Sequence, residues 1–576
     1  MIEDIHEPVE LYGTIFKQAH ARNTSEFFED LVRRSRVDER ANLTTVKELR
    51  ALEAKVKGES SSIRWWRILR GTLVVAGVIC CIMTFSHLAW VAGVLAAIAV
   101  VAVKLNPLIN SIEQRLNILK KQRDKKLKEA WQQMAPLNQL YDWSMLAMLV
   151  RRTVPSIKLD PYFSNGRLRE LRESFGWNDQ FNQGSSVVFA HSGELNGNPL
   201  VITQTLNHWM GSKTYNGSLT IRWTEQVRDS NGNWRTETRT QTLHASVTKP
   251  FPEYGDRKVV IYGNEAAPEL SFSREPSKLS GLGDGAISAW RKARAVKTLE
   301  AKSRDLDKGK GFTVMSNREF DALFGATDRD HEVQFRLLFT PLAQQEMVKL
   351  LKDNAVGYGD DFEFAKSRMI NVVEPAHMTA TDISADPAKF HAYELAHSRK
   401  FFNEYHNDVF KSLFFGLAPL LTIPLYQQHR SHTDIYRDTY GRSSCFWEHE
   451  SIANYFGEAQ FQHPDCITHS ILKTDARPEV DGTQVVQVAA FGYRGINRVD
   501  YVSVYGGDGQ YHDVSVEWIE YIDVRKDSEM VVRENPQANE DDGSASGTPS
   551  WQTHFQALDA DPQNAVLRRS IIAALR

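Results

Sequence analysis

The sequence predicts an α+β protein: N-terminal helices, a two-helix transmembrane hairpin, a β-rich mixed cytoplasmic domain and a second β-rich C-terminal module. Three observations carry this. The 33 residues from Gly71 to Val103 contain no charged side chain, and cationic residues crowd both ends of that run. Outside that run, charged segments with helically spaced apolar positions fill the chain up to residue 154. Short β-type runs separated by turn residues begin after Pro155.

Residues 1–63 read as a helical region, with Leu11, Ile15, Phe27, Phe28 and Leu31 as its apolar positions among many charges. The transmembrane hairpin then covers 64–106. Its uncharged run, Gly71 to Val103, is too long for one span of about 20 residues and short for two, unless the flanks are included. Trp65 to Phe85 supplies one helix and Leu88 to Asn106 the other, with Phe85-Ser86-His87 as the turn. Arg64, Arg67 and Arg70 precede the run, and Lys104, Arg115, Lys120, Lys121, Arg123, Lys125, Lys126 and Lys128 follow it. Positive flanks stay on the cytoplasmic side. Two positive flanks therefore predict a multi-pass inner-membrane protein with two spans and the bulk of the chain in the cytoplasm.

Residues 107–154 read as a juxtamembrane basic helix, bent near Pro136. The α+β cytoplasmic domain covers 155–380. In it, Asp229-Ser230-Asn231-Gly232-Asn233 is a hairpin turn joining Thr220–Val227 to Trp234–His244. Arg235, Glu237 and Arg239 alternate with Thr236, Thr238 and Thr240, which marks an exposed polar strand. Asp284–Asp305 reads as a charged helix, Val333–Phe339 as a strand, Pro341–Lys352 as a helix and Ser367–Val373 as a strand. Residues 381–429 hold a helix, Asp386–Tyr405, followed by the apolar segment Leu413–Tyr426. That segment contains Pro419 and Pro424 and is short for a span, so it is expected to be re-entrant, interfacial or part of the core; a third crossing is the alternative. Residues 430–535 form the β-rich C-terminal module, with Gly506-Gly507-Asp508-Gly509 turning between its last two strands. A linker, 536–554, and a terminal amphipathic helix, Phe555–Leu575, close the chain.

Within residues 130–375 the order of features resembles an uncharacterised bacterial family of membrane-anchored proteins, often encoded beside LemA-type proteins. The features are a two-helix anchor and basic helix, then Tyr162-Phe163-Ser164, then Ser192-Gly193-Glu194-Leu195-Asn196-Gly197-Asn198-Pro199, and finally Leu338 to Pro341 before a helix. The resemblance implies a membrane anchor and a β-rich cytoplasmic domain. It brings no activity and no catalytic residues.

Net charge is −3, so no overall nucleic-acid footprint exists. The basic cluster Arg115–Lys128 is local and suits anionic membrane lipid. Cys80, Cys81, Cys445 and Cys466 are the only cysteines, which is no disulfide framework. GxxxxGK[ST], HExxH and GxSxG motifs are absent, and Gly281-Leu282-Gly283-Asp284-Gly285 lacks the spacing of a nucleotide loop.

One constellation could carry chemistry. His429, His432, Cys445, His449, His463, Cys466 and His469 fall close together in sequence. Cys445 with His449, and His463 with Cys466, are two short-spaced pairs that could hold zinc in a tetrahedron. The alternative is that both thiols are buried apolar residues and the histidines ordinary surface ones. Glu448, His449 and Glu450 are the candidate catalytic residues, a histidine between two carboxylates.

These observations favour a non-enzymatic, membrane-anchored binding or scaffold protein with membrane lipid and a protein as partners and no nucleic acid. A metal-dependent membrane hydrolase centred on 445–469 is one alternative. A transport or channel component is another, although no Asp, Glu, Lys or Arg lies inside the apolar stretches.

Overall fold

The computed structural model describes residues 5–83, 100–178, 184–228, 233–277, 297, 314–430, 443–478, 483–534 and 564–576. They divide into two compact units. One comprises residues 21–145 with 385–407; the other comprises residues 1–20, 146–384 and 408–576.

The first unit is helical. Its central feature is an antiparallel pair, Glu39–Met83 and Asn106–Asn138. Ascending positions on the first helix meet descending positions on the second. Gln133 donates to Thr45 Oγ1 at 3.0 Å, Lys126 pairs with Glu48 at 2.8 Å, and Arg67 pairs with Glu113 at 2.6 Å. Ile63, Ile112 and Leu116 form the buried seam between them, with Val56 and Trp66 packed against it. The Leu395 end of a further helix is fixed to this unit: Asn42 Oδ1 accepts from Leu395 N at 3.0 Å, and Arg50 pairs with Glu394 at 2.7 Å.

Among the described residues no helix is long and apolar enough to cross a membrane. The first expected span is helical as far as Met83. The turn at Phe85–His87 and most of the second span lie outside the described residues. A π-helical turn, Val100–Leu105, leads into Asn106–Asn138. The helix carries Pro136 in its last turn and ends at Asn138, and a separate helix, Met145–Thr153, follows.

The second unit holds two antiparallel sheets. β1 (Ile157–Leu159), β2 (Ser185–Leu195), β3 (Asn198–Arg228), β4 (Trp234–Gly263), β5 (Ser271–Arg274), β6 (Phe362–Ser367) and β7 (Ile370–Pro375) form the first. Its strand order is β1-β2-β3-β4-β7-β6-β5. β8 (Ile471–Pro478), β9 (Thr483–Tyr505), β10 (Tyr511–Glu534), β11 (Ala565–Arg568) and β12 (Ile571–Leu575) form the second, in the order β11-β12-β10-β9-β8.

Between the sheets lies the helix Phe446–Phe456, buried from Trp447 through Ala453. Trp447 joins Phe163, Leu171, Val187, Val201 and Val259 in the core of the first sheet. Ile452 and Ala453 join Leu472, Val488, Met530 and Ile571 in the core of the second. A helix with apolar contacts on opposite faces is one enclosed by protein.

Both expected hairpins form. Arg228 pairs with Trp234 across the first turn and Tyr505 with Tyr511 across the second. They are far longer than the sequence reading implied. β3 and β4 run on past their last rung with β2 at Asn207 by about 20 residues, on the order of 65 Å at ~3.3 Å per residue. β9 and β10 continue past the last rung with β8 at Phe491. The two ribbons stack on each other through Ile221, Leu243 and Ala245 on one side and Val514 and Val516 on the other. Together they make a two-layered arm. One outer face of it carries threonine pairs, with Thr214 beside Thr248 and Thr220 beside Thr242, each at 3.1 Å.

Four expected elements differ. Val333–Phe339 is not a strand: Glu332–Leu338 is a helix capped by the His331 side chain, which accepts from Gln334 N. Phe335 and Leu338, three apart, are buried, whereas Val333 and Leu337 are exposed, which is a helical spacing. Ser367–Val373 is not one strand but the turn and flanks of the β6–β7 hairpin, with Arg368 at φ 54°. The terminal amphipathic helix is instead the β11–β12 hairpin for all its described residues. Arg569, at φ 53°, and Ser570 make the turn there, and the β-branched Ile571 and Ile572 suit the strand that follows. Helix Leu395–Leu421 starts later than Asp386, which opens a 3₁₀ turn instead. The charged helix Asp284–Asp305 falls outside the described residues except for position 297.

The apolar segment Leu413–Tyr426 is core. Phe415 meets Tyr12 at a ring separation of 4.9 Å and Phe414 meets Phe16 at 5.5 Å. Leu417, Leu421, Ile423 and Tyr426 have no exposed surface. The helix ends at Leu421, and Pro424 opens a 3₁₀ turn.

Candidate functional site

Residues 443–456 contain the candidate catalytic set, and their backbone begins as an edge. Ser444 bridges to Ser164, and Cys445 N donates to Phe163 O at 3.0 Å. Cys445 is then the N-cap position of the buried helix, without a side-chain cap bond.

Each polar side chain on this helix is engaged with protein. Glu448 Oε2 accepts from Phe163 N at 3.0 Å, and Arg569 Nη2 lies 2.7 Å from both of its oxygens. Glu450 Oε2 accepts from Val187 N at 2.9 Å, and Oε1 takes Lys473 Nζ at 3.1 Å. Ser451 Oγ donates to Val188 O at 3.1 Å, and Asn454 Nδ2 donates to Val187 O at 2.9 Å. The register of β2 against β3 shifts between Val187 and Phe189. Such a bulge takes backbone groups out of the ladder. Glu450, Ser451 and Asn454 supply partners to this interrupted stretch of backbone.

His449 Nε2 lies 2.9 Å from Ser444 Oγ. Its Nδ1 is buried with no hydrogen-bond partner among the described residues. Burial lowers its pKa to about 4, so the ring is neutral at pH 7. Burial pushes Glu450 up to about 7 despite the opposing Lys473 ammonium. Burial also pushes the Cys445 thiol well up, which keeps it protonated. A neutral histidine, a protonated thiol and two engaged carboxylates, all enclosed, make a structural clasp.

The zinc reading gains no support. Among the described residues no three His, Cys, Asp or Glu side chains gather to hold a metal. Cys445 lies in the Trp447 core. Cys466 lies against β9, its sulfur 3.4 Å from Thr468 O and 3.7 Å from Ser470 Oγ. His463 Nδ1 accepts from Asp465 N at 3.2 Å, and His469 pairs with Glu458 at 3.0 Å. His429 is exposed, and His432 lies outside the described residues.

A second buried network lies nearby. Asp160 accepts from Arg167 Nε at 3.0 Å and from Ser192 Oγ at 2.7 Å, and His191 Nε2 lies 3.0 Å from Asp160 O. Burial alone would raise the Asp160 pKa, but the Arg167 guanidinium outweighs it and holds the carboxyl below its ordinary value. Burial, aided by Arg569, takes His191 down to about 3.

No family model, curated protein or solved structure matches the chain.

Two exposed surfaces stand out among the described residues. One is the arm, where Tyr501, Tyr505 and Tyr511 are 60–73% exposed near the tip of its second ribbon. The long alternation of β-type residues through 198–263 was the available signal. The other surface lies along the helix pair, where Trp65, Ile68, Val74, Val75 and Val103 are each at least half exposed.

Proposed function

We propose that this chain is a membrane-anchored, non-enzymatic binding protein of the bacterial inner membrane, with its body in the cytoplasm. The observation that carries this reading is the antiparallel pairing of the two flanks of the uncharged run. Arg67 on the outgoing helix meets Glu113 on the returning one at 2.6 Å, and Arg70 meets Asn106 at 3.5 Å. A chain that leaves and returns along the same pair of helices places both flanks on one side. The large apolar side chains exposed at the ends nearest the run suit a lipid environment. The lysines and arginines of both flanks suit the cytoplasmic side.

A binding role is favoured over hydrolysis because Glu448, His449 and Glu450 are spent on backbone and core partners. The arm offers a protein partner its exposed tyrosines, and tyrosine is enriched at such contacts.

Reporter fusions after residue 60 and after residue 130 test the anchor. Both should report cytoplasm, and alkaline washing should leave the full chain in the membrane pellet. An external signal from either fusion would overturn the hairpin.

A further inference from the structure

The geometry points to a binding site for an anionic phospholipid headgroup in the groove between helices Glu39–Met83 and Asn106–Asn138. This rests on the membrane reading above and adds a specific ligand site to it. The groove is open, holds about 600 Å³, and is lined by Ser60, Arg64, Arg67, Glu113, Asn117 and Lys120 over an apolar floor of Ile63 and Leu116.

Its walls follow helical periodicity. Positions 60, 64 and 67 lie on one face of the first helix, and 113, 117 and 120 on one face of the second. The helices converge on the Ile63–Leu116 seam, so side chains on either side of it point along one channel. Arg67 and Glu113 neutralise each other at 2.6 Å. Arg64 and Lys120 have no carboxylate partner among the described residues, which leaves the channel with an uncompensated positive charge on each wall. Asn117 and Ser60 add neutral hydrogen-bonding groups between them.

The position fits a lipid rather than a free anion. The groove lies within three helical turns of Gly71, where the uncharged run begins. Ile68, which also lines the groove, and Trp65 beside it are each 60% exposed and would meet acyl chains and the interface. A phosphodiester held by Arg64 and Lys120 would have its tails alongside these apolar residues. Inorganic phosphate would gain the charges alone. Guanidinium and ammonium groups recognise phosphate by charge-assisted hydrogen bonds, and each contributes about a five-fold gain near an anionic surface.

The test uses the full chain in detergent, titrated with phosphatidylglycerol or phosphatidylcholine and read by native mass spectrometry as bound lipid. Phosphatidylglycerol should be retained preferentially. Arg64→Gln with Lys120→Gln should reduce that preference about 25-fold, while Lys121→Gln with Lys128→Gln, an equal charge loss outside the groove lining, should change it less than two-fold. Equal losses in both pairs would mean diffuse attraction and overturn the site. Displacement of the lipid by inorganic phosphate alone would overturn the lipid assignment. Membrane fractionation separates this from the anchor: if the Arg64/Lys120 variant stays in the washed pellet yet keeps its lipid preference, the groove fails and the anchor stands. If wild type itself washes off, both fail.

Discussion

Arg569 Nη2 lies 2.7 Å from both carboxylate oxygens of Glu448, and the two side chains are buried between the sheets. Arg569 comes from the turn of the last β-hairpin and Glu448 from the central helix, so this pair ties the end of the chain to the core. Removing one partner of a buried pair leaves a charge in a low-dielectric interior. Arg569→Met should therefore cost about 3–5 kcal/mol, seen in denaturant unfolding of the second unit. Glu448→Leu combined with Arg569→Met should lose less than the single changes add up to. Strict additivity would show that the two groups are not coupled.

Much of the architecture was legible in the sequence for local reasons. Asp229–Asn233 and Gly506–Gly509 are turn sequences whose backbone preferences act within a few residues, and both hairpins form where those turns stand. The clasp was not legible, because its partners are remote. Glu448 meets Phe163 and Arg569, and Glu450 meets Val187 and Lys473. The motif Trp447-Glu448-His449-Glu450 looks chemical in isolation, and only tertiary packing reveals its carboxylates as backbone partners. The last strands were misread because Val566 to Leu575 spaces its apolar residues compatibly with a helix. The edge of β10 decides for a strand there, through five consecutive pairs from Met530 to Glu534.

Stability should depend on pH through two buried groups acting in opposite directions. Glu450 has its pKa raised by burial from 4.5 to about 7. The folded chain then binds a proton that the unfolded chain releases, so this contribution is full below about 4.5 and is lost as pH rises to 7. His449 is lowered by burial from 6.5 to about 4, so its contribution is full above 6.5 and is lost as pH falls to 4. Wild type should lose stability relative to Glu450→Gln as pH rises through the first window. It should gain stability relative to His449→Asn as pH rises through the second. Unfolding midpoints measured across both windows check this; differences that do not vary with pH would rule out both titrations.

The two C-terminal thiols should differ in reactivity. Cys445 is fully buried, and its pKa is raised chiefly by burial. Cys466 is partly exposed; burial raises its pKa, but hydrogen bonds, led by that from Thr468, outweigh this and lower it overall. In a chain carrying Cys80→Ala and Cys81→Ala, a maleimide should label Cys466 in the folded protein and Cys445 only on unfolding. A chelator should change neither rate. Faster labelling of Cys445 on chelation would restore a metal role for it.

The arm depends on two glycines to very different degrees. At Gly217 an added Cβ would lie 2.1 Å from Ser515 O, the backbone of the opposing ribbon, and a backbone oxygen in a paired strand cannot swing aside. At Gly211 the added Cβ would meet the Glu253 side chain, its carboxylate at 2.5 Å, and that partly exposed chain can rotate away at the loss of the bond it accepts from Trp209 Nε1. Gly217→Ala should therefore separate the ribbons around the Ile221–Val514 contact, at a cost of about 1–3 kcal/mol as overpacking. Gly211→Ala should be close to neutral by comparison. Amide exchange through 212–227 and 499–516 reads the outcome directly, since the layer between the ribbons excludes water only while they stay in contact. Faster exchange in Gly217→Ala with no change in Gly211→Ala is expected. Equal exchange in both variants would mean that the two ribbons do not rest on each other in solution, and the arm would then be two independent hairpins.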